Sequence, residues 1–170
     1  MTQVSIRRAG VGDAQTLSEL GAATFAEAFG PRYAAEDLDQ FLAETYAVEK
    51  VRAQLEDPAN AAWLAEAGGR AVGHALAGAC ALSHPEVTAA CGELKRLYVL
   101  SGWRGGLGSR LLATALAWLE DQGRSRVWLG VWSGNLGAVR LYRKMGFEQV
   151  GHYQFRVGAA RDHELILRRG

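Results

Sequence analysis

Apolar residues recur along this chain with two periods, and the switches between them divide it into elements. Val4–Arg8 alternates apolar and polar positions, as a half-buried strand does. Gly12-Asp13 then opens a segment in which Leu17, Leu20, Phe25 and Phe29 recur at helical spacing, with Asp13 the expected N-cap and Gly30-Pro31 the stop. Helical spacing returns at Leu38, Phe41, Leu42 and Tyr46 in residues 35–46, and again over 48–55, ended near Asp57-Pro58. Runs at 62–67 and 70–81 flank Gly68-Gly69, a hairpin signature. Residues 84–91 read as a loop and 93–100 as a strand of bulky alternating side chains. Leu107, Leu111, Leu112, Leu116 and Leu119 line one side of a helix over 106–121, ended at Gly123. A strand at 126–131, a helix at 135–145 closed by Gly146, and strands at 147–156 and 163–168 follow. Hairpins mixed with strand-helix-strand units predict an α/β (α+β) fold, a mixed sheet covered by helices. With no internal repeat, low-complexity tract or linker, residues 1–170 are expected to form one domain.

Composition narrows the function classes. A hydrophobic content of 49% with 22% charged residues is that of a folded soluble protein. No apolar run approaches the ~18 residues of a membrane span, and the first ten residues have no apolar signal core, so a cytoplasmic protein without a membrane partner is expected. The two cysteines, Cys80 and Cys91, fit a reducing compartment and lie in no metal-ligand spacing, so no metal is expected. A net charge of +1 argues against a general nucleic-acid binder. The charge is unevenly spread: residues 13–57 hold ten acidic and three basic groups, residues 92–170 six acidic and thirteen basic. By itself this division reads as acidic solvent faces on the first three helices, and it becomes informative only if the two halves hold ligands of opposite charge.

The chemically loaded stretch runs from Leu97 to Leu112, where a strand ends, glycines follow and a helix starts inside the glycine run. Such a turn aims backbone N–H groups and the positive helix end at one place, an anion site. Its glycines allow positive φ and close approach of a phosphate. A P-loop requires Lys-Ser/Thr after the last glycine, and Ser109-Arg110 stands there. A dinucleotide fingerprint requires a third glycine and an acid about 20 residues on, and this chain offers Leu111 and Trp128-Leu129.

Further motifs carry a resemblance. Leu97-Tyr98-Val99 precedes Trp103-Arg104-Gly105-Gly106-Leu107-Gly108-Ser109, and about 35 residues on come Asn135 and Ala138-Val-Arg-Leu-Tyr142-Arg-Lys-Met-Gly146-Phe147. This order resembles the GCN5-related N-acetyltransferases over nearly the whole chain. Thr24-Phe25-Ala-Glu27-Ala-Phe29, Ala35-Glu-Asp-Leu38, Phe41-Leu42-Ala-Glu-Thr-Tyr46 and Trp128-Leu-Gly-Val-Trp132 look like the PaiA-type spermine/spermidine acetyltransferases. The resemblance implies a mostly antiparallel sheet of about seven strands with one splayed parallel pair at the cofactor site, and acetyl-CoA as cosubstrate. It implies pantetheine along Leu97, Tyr98 and Val99, pyrophosphate on the amides of Arg104, Gly105, Gly106, Leu107, Gly108 and Ser109, Asn135 against the pantetheine and Tyr142 near the sulfur. The glycine loop departs from the family pattern: Arg104 to Gly108 counts five residues where six are usual, so the loop is short or Trp103 takes the first place. Many members are dimers, which leaves a homodimer open.

Acetyl transfer to an amine calls for a base, an oxyanion donor and an acid for the leaving thiolate. Tyr142 is the expected acid and the N–H of Val99 the expected oxyanion donor. Glu93 is the candidate base, since alternation puts it on the face of Lys95, Leu97 and Val99; His74 and water are its rivals. Lys144, with Arg143, is assigned to the nucleotide phosphate. Phe25, Glu27, Phe29 and Trp132 are assigned to the acceptor, with Trp128 and Trp132 on one face of their strand and Glu36 and Asp37 beside the groove. In the family the first helices line that groove, and their acidic excess here suits a polyamine or another small cationic amine. Acetylation of peptides or proteins and a non-catalytic CoA-binding regulator are the alternatives.

Overall fold

The computed structural model describes residues 2–170. Its elements run β1 (Val4–Arg8), α1 (Ala14–Phe29), α2 (Ala35–Thr45), α3 (Val48–Glu56), β2 (Ala61–Ala67), β3 (Arg70–Ala79), β4 (Gly92–Val99), α4 (Leu107–Asp121), β5 (Val127–Trp132), α5 (Leu136–Lys144), β6 (Glu148–Val157) and β7 (Ala160–Arg169). Single 3-10 turns at Val11–Asp13, Gly30–Arg32 and Ser101–Trp103 lie between them. The strands form one sheet in the order β1-β2-β3-β4-β5-β7-β6, antiparallel except for the β4·β5 pair.

One side of the sheet packs against α4 and α5. Leu111, Leu112, Ala115 and Leu119, all at 0% exposure, meet Ala65, Val72 and Leu129 there, and the helical and strand periods of the sequence converge on that layer. The other side carries α1, α2 and α3 over two further clusters, one around Leu17, Leu20 and Leu64 and one around Phe25, Phe29 and Tyr46. A fourth cluster of Cys91, Trp128 and Ile166 sits under the loop that follows β3.

Asp13 occupies the N-cap of α1, yet its side chain does not cap that helix. Its carboxylate instead accepts from the Gly10 N–H (2.8 Å) and from Arg7 (2.8 Å), closing the preceding 3-10 turn. The last strand begins at Ala160, three residues before the expected 163, and its turn is Gly158-Ala159, with Gly158 at φ +56°.

Two features of β4 position the site. Its parallel pairing with β5 covers only Gly92↔Val127 and Glu93↔Trp128, while β3 pairs with β4 as far as Val99. Beyond Glu93 the two strands separate and the sheet opens. In addition, Leu76 faces Arg96 and Ala77 faces Leu94, so Lys95 is the extra residue of a β-bulge. The bulge reverses the alternation: Leu94, Leu97 and Val99 all pack toward α4, and Glu93, opposite Trp128, turns to the other face.

Candidate active site

The opening between β4 and β5 is the meeting place of two cavities, of about 520 Å³ and about 290 Å³. Phe29, Leu97, Tyr98, Trp132, Asn135, Ala138 and Tyr142 line both, so the sheet is pierced where its two strands diverge.

The larger cavity runs from this opening to the glycine turn. Gly105 (φ +115°) and Gly106 (φ +97°) take left-handed conformations that only glycine adopts without strain, and no other residue's atom lies within 4 Å of where either would carry a Cβ. The first intrahelical bond of α4 runs from the Arg110 N–H to Gly106 C=O (3.1 Å), which leaves the N–H groups of Leu107, Gly108 and Ser109 free of helical acceptors. They point with the 15-residue helix dipole toward the space above the glycines. Arg104, Gly105, Gly106, Gly108 and Ser109 line the cavity; Leu107 is 4% exposed and turns its side chain into the core. Trp103 also packs against that core, so Arg104 and not Trp103 faces the cavity and the loop is simply the short form. Lys144 is exposed on α5 and lies outside the lining.

Along β4, the Leu100 N–H donates to Val72 C=O (2.9 Å). Antiparallel alternation then turns the N–H groups of Leu97 and Val99 away from β3, into the gap left by β5. Asn135 caps α5 by accepting the Ala138 N–H on Oδ1 (3.2 Å), which keeps its side-chain NH₂ available as a donor. One helical turn on, Tyr142 is 7% exposed, its ring edge-on to Phe147, and burial pushes its phenol above the usual range. The hydroxyl therefore keeps its proton at any physiological pH.

The smaller cavity lies on the α1–α2 side and is walled by aromatic rings. Phe25 and Phe29 from α1 line it as expected, with Phe29 edge-on to both Tyr98 and Trp132 (centroids 6.2 Å in each pair). Glycines make room on both sides: a Cβ at Gly130, which lines the smaller cavity, would come 2.4 Å from the Tyr153 hydroxyl, and one at Gly134, which lines the larger, 2.3 Å from the Trp132 indole. Trp128 faces the same way as Trp132 but is fully buried in the separate cluster under the loop after β3.

The carboxylates differ most from the sequence expectation. Glu27 is exposed and accepts the Ser101 N–H (2.6 Å), bracing the turn after β4 and not lining the acceptor side. Asp37 accepts from the Ala159 N–H (3.4 Å) at the β6–β7 turn, and Glu36 is exposed on α2. Glu93 is absent from the lining of both cavities: its Oε1 accepts from Lys95 Nζ (3.0 Å) and from the Ala81 N–H (2.9 Å). The bulge at Lys95 takes Glu93 off the face of Leu97 and Val99, and its place at the start of β4, where β5 is still paired and the loop after β3 covers Trp128, keeps it from the opening. His74 is 3% exposed with Nε2 3.0 Å from Thr24 Oγ1, and burial pushes its pKa down to about 3. The Thr24 hydroxyl already donates to Leu20 C=O (2.8 Å), which assigns the proton of this contact to the histidine.

The acidic groups that do line the smaller cavity are Asp162 and Glu164 on β7, which sequence reasoning missed. Asp162 pairs with Arg32 and accepts from the Tyr33 hydroxyl. Glu164 is 9% exposed, and its carboxylate makes no hydrogen bond or ion pair among the described residues. Burial first, and then the charge of Asp162, push its pKa up to about 7. The signal was present as two acids two residues apart, and so on one face of β7, Asp162 and Glu164 before Leu165-Ile-Leu.

The comparisons with known proteins agree with this architecture. A family model described as the acetyltransferase (GNAT) family matches residues 23–147. An N-acetyltransferase of Mycobacterium tuberculosis (strain ATCC 25618 / H37Rv), itself named as uncharacterised, is 34% identical over 156 residues, 91% of this chain and 96% of its own. An N-acetyltransferase of Lactobacillus delbrueckii subsp. lactis, also named as uncharacterised, is 25% identical over 170 residues, 99% of this chain and 98% of its own. Among solved structures, the PaiA N-acetyltransferase of Thermoplasma acidophilum in complex with coenzyme A has a TM-score of 0.79 at 20% identity, covering 98% of both chains. The chain belongs to the GNAT family of acetyltransferases and is an N-acetyltransferase of that type.

Proposed function

We propose that this enzyme transfers the acetyl group of acetyl-CoA to the primary amine of a small cationic acceptor, a polyamine being the best guess, by direct attack in the opening between β4 and β5. The observation that carries this reading is the pairing of two different cavities at Tyr142. One ends in free helix N–H groups over bare glycines, which suits a pyrophosphate; the other is aromatic-walled with an unpaired carboxylate, which suits an ammonium group. Acetyl-CoA, when bound, supplies the thioester; the remaining steps belong to the chain. Leu107, Gly108 and Ser109 hold the pyrophosphate with their N–H groups, and Arg104 adds a cation. Leu97 and Val99 present N–H groups to the pantetheine side, and Val99 donates to the carbonyl oxygen as it gains negative charge. Tyr142 donates a hydrogen bond to the departing sulfur. Glu164 takes the place expected of Glu93: it borders the acceptor cavity, has no competing partner, and a pKa near neutrality lets it receive the amine's proton at working pH.

The test has two arms. Thermal melts with acetyl-CoA, CoA and NAD should show stabilisation by the first two only; stabilisation by NAD alone would refute the cofactor assignment. Thiol release is then followed over a panel of alkyl monoamines, diamines, spermidine, aminoglycosides and peptides with free N-termini. Turnover confined to peptides would replace the small-amine reading by a peptide acetyltransferase, and no turnover across the panel by a CoA-binding regulator.

A further inference from the structure

One cluster at the mouth of the smaller cavity is not used by the mechanism above. The 3-10 turn Gly30–Arg32, which joins α1 to α2, lays the Arg32 guanidinium on Trp132, with Cζ 3.7 Å from the ring centroid. The same guanidinium places Nη2 2.5 Å from Asp162 Oδ1, and the Tyr33 hydroxyl donates to the other oxygen. Trp132, Tyr33 and Asp162 line the cavity; Arg32 does not, and it covers them from the solvent side. The exposures are unequal, 6% for the Asp162 side chain and 37% for Arg32.

That inequality decides what is permanent and what is replaceable. A carboxylate as deep as Asp162 requires a cation close by, because removing its partner leaves an uncompensated buried charge. An exposed arginine is easily returned to water, and a half-exposed ion pair contributes little beyond its geometry. An indole face and a buried carboxylate together form a cation receptor, and the chain's own Arg32 satisfies it. Glu164 stands two residues along the same strand face, with no partner among the described residues. Two residues of strand put the Asp162 and Glu164 positions about 7 Å apart, and two amines separated by three or four methylenes span about 5–6 Å.

We propose that Asp162 and the Trp132 indole form a second cation subsite of the acceptor cavity, which Arg32 fills in the free protein and which the distal ammonium of a diamine or polyamine takes on binding. The reacting amine then lies at Glu164 and the second charge at Asp162, with Arg32 displaced to solvent. This rests on the reading of the smaller cavity as an amine site. It assigns Arg32 the part of an internal competitor, so removing it strengthens diamine binding.

The experiment is calorimetric titration of diaminobutane and butylamine into the CoA-saturated enzyme, wild type, Arg32→Gln and Asp162→Asn, with thiol release measured alongside. Arg32→Gln is expected to tighten diaminobutane about 3–10-fold, the range one cation–π contact covers, and to leave butylamine nearly unchanged. Asp162→Asn should erase the preference for the diamine. In Arg32→Gln the Tyr33 hydroxyl still donates to Asp162, and thermal melts of both variants run beside the titrations; if Arg32→Gln melts early, the loss or survival of the diamine preference in Asp162→Asn, which leaves no buried charge unpaired, decides the matter. Unchanged or weaker diamine binding in Arg32→Gln overturns the subsite, as does a wild-type preference for carboxylate-bearing amines that Arg32→Gln loses. If butylamine still binds and turns over in those cases, the amine reading stands alone. If no variant binds either amine, both ideas fall together.

Discussion

In the proposed mechanism Glu164 and Tyr142 divide the proton chemistry between a group that titrates near neutrality and one that does not. With its pKa pushed up to about 7, Glu164 collects its proton as the pH falls through 7. A base that must be ionised therefore gives a kcat/KM that rises with pH below about 7 and levels above it. Glu164→Gln should lower kcat by about 10²–10⁴-fold and remove that rise; a profile that keeps its inflection near 7 in the variant assigns the base elsewhere. Stability carries the opposite sign. The folded protein binds this proton more tightly than an unfolded chain, with its ordinary glutamate pKa of 4.5, so the favourable contribution is complete below about 4.5 and is lost as pH rises to about 7. At pH 8 the glutamine variant should accordingly melt higher, by about 1–3 kcal/mol of stability. Lower activity with higher stability is a combination that loss of a structural residue does not produce. The apolar pattern alone did not reveal this, since two acids in a terminal strand that also carries Arg161, His163, Arg168 and Arg169 read as solvated positions until the fold shows what covers them.

Elements were legible where packing alone decides them and misread where function interrupts the pattern. The helices α1 and α4 and the Gly68-Gly69 hairpin follow from spacing, because their apolar faces meet ordinary core. β7 was expected to start at 163 and starts at Ala160: Arg161, Asp162 and His163 are all polar and give no alternation, and Asp162 is held on the cavity face by its place in the fold. The bulge at Lys95 left no mark in β4, and a one-residue insertion is enough to move Glu93 to the other side of the sheet. The glycine turn, by contrast, was legible, and its short form keeps the element that matters: left-handed Gly106 at the N-cap of α4. A methyl group there strains the backbone by about 1–2 kcal/mol and protrudes into the open space above the turn. Gly106→Ala should thus raise the KM for acetyl-CoA about 5–20-fold with little change in the KM for the amine. Titration of CoA into both proteins checks it, and equal affinity would place the pyrophosphate away from this turn.

At the scale of the whole molecule, the division of charge between the two halves of the chain proved a weaker guide than the division of the sheet. The acidic helices α1 and α2 spend Glu27 and Asp37 on bracing neighbouring turns, and the acceptor cavity takes its carboxylates from β7 in the basic half. What organises the molecule is that β5 leaves β4 after two residue pairs, so that two cavities meet through one sheet. Ala138 sits at that junction, one helical turn before Tyr142, and lines both cavities. Its small side chain is required there if the two ligands must touch. Ala138→Leu adds bulk at the join while leaving the glycine turn and the Trp132–Asp162 mouth as they are. CoA and amine should each bind within a few-fold of wild type, whereas kcat should fall about 100-fold, the loss that a misplacement of about 1 Å between reacting groups brings. Separate titrations of CoA and amine, set against single-turnover rates, resolve the two effects. A variant that loses binding of one ligand and keeps its rate at saturation would show that transfer takes place elsewhere than through the gap between β4 and β5.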